Sequence, residues 1–186
     1  MTLEILLVFF LSYISGSIPF GLILTKIFLN KDLRNTGSKN IGATNVLRTG
    51  NKLIAGFTLL LDISKGLVPV MITNYYFPNL IYLSGLLAFL GHIFPVWLKF
   101  EGGKGVATYL GIIFALSLKL GLIFCVMWII IIFLTKFSSL SSILSALIIF
   151  LISLLEKNLD LNFFLFIVFV IILYTHRQNI VRLKNK

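Results

Sequence analysis

Hydrophobic residues occupy this chain in long blocks separated by short polar stretches: Leu3 to Leu29, Leu53 to Phe77, Leu80 to Leu98, Val106 to Leu134, Leu140 to Leu155 and Leu161 to Thr175. Several approach the ~20 residues that a helix needs to cross a bilayer. The pattern predicts an all-α integral membrane protein, a compact bundle of transmembrane helices. Because the blocks fill most of the length, residues 1–186 read as a single polytopic membrane domain.

The block from Val106 to Leu134 is too long for one upright span: its 29 residues cover about 43 Å at ~1.5 Å per residue, against a ~30 Å hydrocarbon core. Lys119 and Gly121 interrupt it. A split there predicts helices from Val106 to Leu118 and from Leu120 to Leu134, the first too short to span alone. One long tilted helix is the alternative. With the split, the bundle has about seven helices.

Composition agrees with a membrane setting. The chain is 59% hydrophobic and 12% charged, with a mean hydropathy of +1.05, which leaves too little polar surface for a soluble globule. The first block is not a cleavable signal: Glu4 stands where a basic segment belongs, and the apolar run continues past residue 20. Cys125 is the single cysteine, so no disulfide framework and no cysteine metal site is expected, and with only two histidines no zinc. No cofactor is implied.

The net charge of +10 suits nucleic acid in principle, but the basic residues flank the apolar blocks instead of clustering on one soluble face. Placing the loop from Asn30 to Lys52, the segment from Lys99 to Lys104, Lys136 and the tail after His176 on one side collects twelve of the sixteen Lys and Arg there. By the positive-inside tendency that side is cytoplasmic. The N-terminus is then outside and the C-terminus cytoplasmic, which requires an odd number of crossings.

Five stretches carry polar chemistry. "SGSIPFG", residues 15–21, puts Pro19 inside the first helix, where it removes a backbone hydrogen bond. This reads as a kink satisfied by Ser15 or Ser17 and packed on small residues, or as a broken helix lining a cavity. The loop "GSKNIGATNVLRTG", residues 37–50, lies in a segment of net charge +4 from Asn30 to Lys52. Gly37, Gly42 and Gly50 permit positive φ, so its amides could converge on an anion, with Ser38, Thr44 and the asparagines adding donors and Arg48 a planar fork for phosphate. An ordinary positive-inside loop would need only the basic residues. No Walker spacing is present.

In "GHIFPVWLKFEGGKGVAT", residues 91–108, three glycines surround Lys104 ahead of a helix N-terminus, where backbone amides and the macrodipole favour an anion. His92 is a structural hydrogen-bonding group or a base. "LDISKG" sets Asp62 and Lys65 on one helix face, as an ion pair bracing the bundle or as catalytic groups. "HRQNI" places His176 and Asn179 on one face at the end of the last block, which is otherwise a basic membrane anchor.

These motifs, in this order and over nearly the whole chain, resemble those of the bacterial acyl-phosphate:glycerol-3-phosphate acyltransferases, the PlsY family. The resemblance implies transfer of a fatty acyl group from acyl phosphate to the sn-1 hydroxyl of glycerol 3-phosphate, giving lysophosphatidic acid and phosphate. It implies a seven-helix fold in the bacterial cytoplasmic membrane with the site facing the cytoplasm. The implied partners are glycerol 3-phosphate, long-chain acyl phosphate, membrane lipid and the soluble enzyme that makes acyl phosphate. Ser38 and Arg48 match the phosphate-binding loop, Lys104 the basic turn, and His176 and Asn179 the C-terminal site; Asn45 and His92 match motif positions expected to bind substrate. Three departures stand out: Lys39 where glycine is usual, Glu101 where lysine is usual, and no acidic segment after the last helix.

An acyl phosphate is already activated, so positioning is the main catalytic demand. Arg48, Lys104 and the loop amides would offset phosphate charge, and glycine-turn amides the developing oxyanion. The hydroxyl proton goes to His176 as base, or to a phosphate oxygen with His176 orienting the substrate. Two rival classes are a small permease for phosphorylated metabolites, which lacks the expected inverted repeat, and a structural subunit binding anionic lipid.

Overall fold

The computed structural model describes residues 3–184. Among them every regular element is helical, and they form two compact units that meet in sequence between Leu116 and Ser117.

In the first unit, α1 (Leu3–Ser17) and α2 (Phe20–Leu29) are separated at Ile18 and Pro19. Proline has no N–H to continue the ladder, and Pro19 sits at φ −88°, ψ 69°, outside helical geometry. This is a full break, not a kink capped by its own serines. The Ile18 carbonyl accepts from Lys65 Nζ at 2.7 Å, and Ser15 Oγ donates across to the Lys65 carbonyl at 3.1 Å. Ser17 Oγ is buried with no partner among the described residues. The small residues around the break do allow close approach: a Cβ at Gly16 would overlap the Ala88 carbonyl, and one at Gly21 the Ile41 carbonyl.

After a short α3 (Ala43–Leu47) comes the long α4 (Lys52–Tyr76), started by Asn51, whose Oδ1 accepts from the Ile54 amide at 3.0 Å. It is followed by α5 (Ile81–Ile93) and α6 (Val106–Leu116). The long helix is the hub: α1, α2, α3, α5 and α6 all pack on it, and α1 also packs along α5. At its start, Leu33, Ile41 and Val46 of the loop bury against Leu22, Ile54 and Ala55, with Leu98 alongside. The polar loop is thus anchored from beneath by its own apolar residues.

The second unit holds α7 (Leu118–Thr135), α8 (Ser138–Ser153), α9 (Leu159–Thr175) and α10 (Arg177–Lys184). Here α7 packs on α8, α8 on α9 and α9 on α10, and Trp128 Nε1 donates to Ser142 Oγ at 3.1 Å between the first two. The interruption of the block from Val106 to Leu134 falls at Ser117, slightly before the position expected from Lys119 and Gly121. Ser117 is extended and its hydroxyl accepts from the Leu120 amide at 3.3 Å, the work of an N-cap residue, whereas Lys119 is accommodated on the exposed face of the first turn.

By length and composition, Leu3–Leu29, Lys52–Tyr76, Pro78–Leu98 and Leu118–Thr135 suffice to cross a membrane; Val106–Leu116, Ser138–Ser153 and Leu159–Thr175 are shorter apolar helices. Large apolar side chains face outward on the helices, Phe133 and Leu134 each at 73% exposure. Such a surface is suited to lipid and not to water.

Candidate active site

The glycine-rich loop is organised around one side chain. Asn45 is buried, and its Nδ2 donates to the carbonyls of Asn40 at 2.7 Å, Thr36 at 2.9 Å and Leu33 at 3.2 Å, while its Oδ1 accepts from the Ser38 amide at 2.9 Å. Sequence reading places Asn45 among substrate-binding residues; in the structure its polar atoms are all engaged by the loop itself, so it acts as a brace. Asn40 adds an Asx turn, its Oδ1 accepting from the Gly42 amide at 3.0 Å.

These bonds correct the expected anion nest. The amides of Ser38, Lys39 and Gly42 are committed within the loop, Lys39 to the Thr36 carbonyl at 2.9 Å. Nor does Gly42 use positive φ: it lies at −86° as the residue before α3, whereas Gly37 at +53° and Gly50 at +91° do. The loop presents side chains instead. Ser38 is half-buried, and the exposed Arg48 lies with its side chain against Gly37, where a Cβ would sit 3.1 Å from Arg48 Cδ. Among the described residues the guanidinium has no hydrogen-bond or ion-pair partner.

Two other charges of the loop, Asp32 and Arg34, are paired with each other. Arg34 grips Asp32 through Nη2–Oδ2 at 2.6 Å and Nε–Oδ1 at 3.0 Å, and Lys26 Nζ stands 4.0 Å from the same carboxylate. The side-chain and backbone hydrogen bonds from Arg34 hold the Asp32 carboxyl down at about 2. Arg34 is in turn held above its ordinary range by Asp32, with a further contribution from the charge of Glu101. Leu98, just ahead of the glycine turn, packs against the loop's core cluster and so brings that turn beside the loop.

Lys39 adopts φ +60°. A side chain in that region costs roughly 1–2 kcal/mol. Lys39→Gly should therefore raise the unfolding free energy by about 1 kcal/mol, after the extra freedom glycine gains in the unfolded chain is deducted. A thermal melt in detergent checks this; an unchanged or lowered midpoint would remove strain as the account of this position.

In the turn, the Gly102 amide donates to the Ile93 carbonyl and the Gly103 amide to the His92 carbonyl, each at 3.0 Å. Those two amides staple the turn to the end of α5 and are not free for an anion. Gly105 at φ +82° then lets the chain pass the Phe89 ring into α6. Lys104 is half-buried just ahead of that helix N-terminus.

His92 is buried under the turn. Its Nδ1 lies 3.1 Å from Thr108 Oγ1 and 3.9 Å from Asp62 Oδ1, and a Cβ at Gly103 would overlap its Nε2. Asp62 and Lys65 form the expected ion pair at 2.7 Å, both side chains at 2% exposure. Thr108 was not singled out by sequence reading; its signal was a hydroxyl in the first turn of α6, one helical turn after Lys104 in "GGKGVAT". Its partner on α5 is visible only in three dimensions.

In the second unit, His176 closes α9 and is 2% exposed. Its Nδ1 lies 2.9 Å from the Ile172 carbonyl, which can only accept, so Nδ1–H donates to it. The Asn179 amide donates to the His176 carbonyl at 2.8 Å, so the two lie at one corner between α9 and α10.

The family model for glycerol-3-phosphate acyltransferase matches residues 6–186. A glycerol-3-phosphate acyltransferase of Pelagibacter ubique is 53% identical over 99% of this chain and 96% of its own length. Its counterpart in Bradyrhizobium diazoefficiens is 47% identical over 94% and 89%. The crystal structure of PlsY (YgiH), an integral membrane glycerol 3-phosphate acyltransferase in its glycerol 3-phosphate form, superposes with a TM-score of 0.93 at 36% identity, covering 97% of this chain and 92% of that one. Its lysophosphatidic acid form gives 0.90 at 34% identity with the same coverage. With its apolar helices and these likenesses over nearly its full length, the chain is a multi-pass membrane protein belonging to the glycerol-3-phosphate acyltransferase family.

Proposed function

We propose that this protein acylates the sn-1 hydroxyl of glycerol 3-phosphate with a fatty acyl group taken from acyl phosphate, releasing lysophosphatidic acid and inorganic phosphate. The single observation that carries the reading is the exposed Arg48 guanidinium, without a partner among the described residues, on a loop braced by Asn45 in a chain that belongs to this family. A planar fork on a fixed support is suited to two phosphate oxygens. Glycerol 3-phosphate and lysophosphatidic acid, the ligands that name the two crystal forms of the related enzyme, are substrate and product of this reaction.

In the step itself the hydroxyl oxygen attacks the acyl carbonyl carbon, the bond from that carbon to the phosphate oxygen breaks, and phosphate leaves with the electron pair. The hydroxyl proton passes to the departing phosphate or to the His176 imidazole as general base. Arg48, Ser38 and Lys104 bind phosphate oxygens, and Asn179 and His176 orient the acceptor. No covalent enzyme intermediate is required, because the mixed anhydride is already activated.

In this reading the site faces the cytoplasm from a bacterial cytoplasmic membrane, with an outside N-terminus, a cytoplasmic C-terminus and seven crossings acting as one polytopic domain; the distribution of basic residues supports it. The donor comes from the soluble enzyme that makes acyl phosphate.

The test is lysophosphatidic acid formation by purified protein from labelled glycerol 3-phosphate, with palmitoyl phosphate or palmitoyl-CoA as donor. Product with acyl phosphate alone is expected. Product with palmitoyl-CoA alone would overturn the donor assignment. No product from either, with label entering sealed vesicles that contain the protein, would replace the acyltransferase by a permease.

A further inference from the structure

Within the first unit a buried polar chain links the helix break to the glycine turn. Lys65 Nζ donates to the Ile18 carbonyl at 2.7 Å and pairs with Asp62 Oδ1 at 2.7 Å; that carboxylate lies 3.9 Å from His92 Nδ1, and His92 Nδ1 lies 3.1 Å from Thr108 Oγ1. None of the four side chains is more than 3% exposed.

Stability alone is a weak reason for such a chain. Replacing a buried ion pair with well-packed apolar residues is often neutral or stabilising, whereas a polar chain can select one arrangement. What this one selects is the attitude of the His92 ring. The hydrogen bond to Thr108 fixes rotation about χ2, and the ring then occupies the space where any residue but glycine at position 103 would carry its Cβ. The His92 carbonyl also holds the Gly103 amide. Lys104 is the next residue, so its backbone position is set by a side chain and a carbonyl of His92.

We infer that Thr108, backed by the Asp62–Lys65 pair, is a positioning residue for substrate phosphate: it locks His92, and His92 holds the Gly102–Lys104 turn in the conformation that receives glycerol 3-phosphate. This rests on the acyltransfer reading above. A displacement of about 1 Å in a positioning group is enough to lower efficiency by roughly a hundredfold, so an indirect support can govern binding.

The decisive comparison is wild type against Thr108→Val, which keeps the shape and removes the hydroxyl, and Thr108→Ser, which restores it. Expected is a rise of about tenfold or more in KM for glycerol 3-phosphate with kcat within about threefold, and recovery in Thr108→Ser. A purely structural hydroxyl would lower the melting temperature of Thr108→Val and leave KM unchanged, which would overturn the inference. If the valine variant is not recovered folded, Thr108→Ala carries the same comparison. Half-saturation of the thermal shift produced by glycerol 3-phosphate gives a readout independent of turnover. A wild type that binds but makes no product would sink the acyltransfer reading, while an unchanged half-saturation in the variants would sink the positioning role.

Discussion

Arg48→Ala should lower kcat/KM for lysophosphatidic acid formation by about a hundredfold or more while leaving the melting temperature close to that of wild type. The two halves have separate causes. Charge-assisted hydrogen bonds contribute roughly 1.5–3 kcal/mol each, and a bidentate contact to phosphate contains two, so losing about 3 kcal/mol corresponds to about a hundredfold. Stability should hold because the guanidinium is exposed and makes no hydrogen bond or ion pair with the described residues. Arg48→Lys should recover only part of the activity, since an ammonium keeps the charge but not the fork. Full activity in both variants would remove Arg48 from the site and leave the braced loop without a function in phosphate binding. A large fall in melting temperature would instead make Arg48 a structural residue.

The second large effect concerns the core. Lys65→Met should destabilise the protein by about 3–5 kcal/mol, because it strands the Asp62 carboxylate in a buried site and also removes the donor to the Ile18 carbonyl. The double change Asp62→Leu with Lys65→Met should recover most of that loss, since the uncompensated charge is then gone. Unfolding of the three proteins by denaturing detergent in mixed micelles provides the measurement. If the double variant is no better than Lys65→Met, the cost lies in the hydrogen bond that closes the helix break and not in the stranded charge. The prediction bears on mechanism as well, because the same pair stands behind His92.

Much of the architecture was legible in the chain. The block from Leu53 to Phe77 became α4 over Lys52–Tyr76, because an apolar run flanked by an N-capping asparagine and a proline-containing turn has little alternative in lipid. The overlong block from Val106 to Leu134 did divide, since its length alone made one upright span unsuitable. The place of division depended on a finer balance, and Ser117, a good cap with extended backbone, prevailed over Lys119, a charge that an exposed helical turn accommodates.

The site divides in the same way. That Asp62 and Lys65 would meet followed from a separation of three residues on one helix, and that the two glycine-rich stretches form polar turns followed from composition. Local sequence also carried the motifs that identify the family. Which amides those turns leave free did not follow: Asn45 reaches back to carbonyls at Leu33, Thr36 and Asn40, and His92 takes the Gly103 amide, so donors that glycine content makes available are consumed inside the fold. The closure of the Pro19 break by Lys65, from 47 residues away, and the seating of His92 against Thr108 are likewise absent from any local pattern. The sequence by itself determined what reports on neighbours along the chain: apolar length, helix ends, glycine turns and charge. The tertiary structure alone decided which distant donor satisfies each buried acceptor, because that choice depends on the packing of α1, α4, α5 and α6, and helical periodicity specifies a face without specifying what meets it.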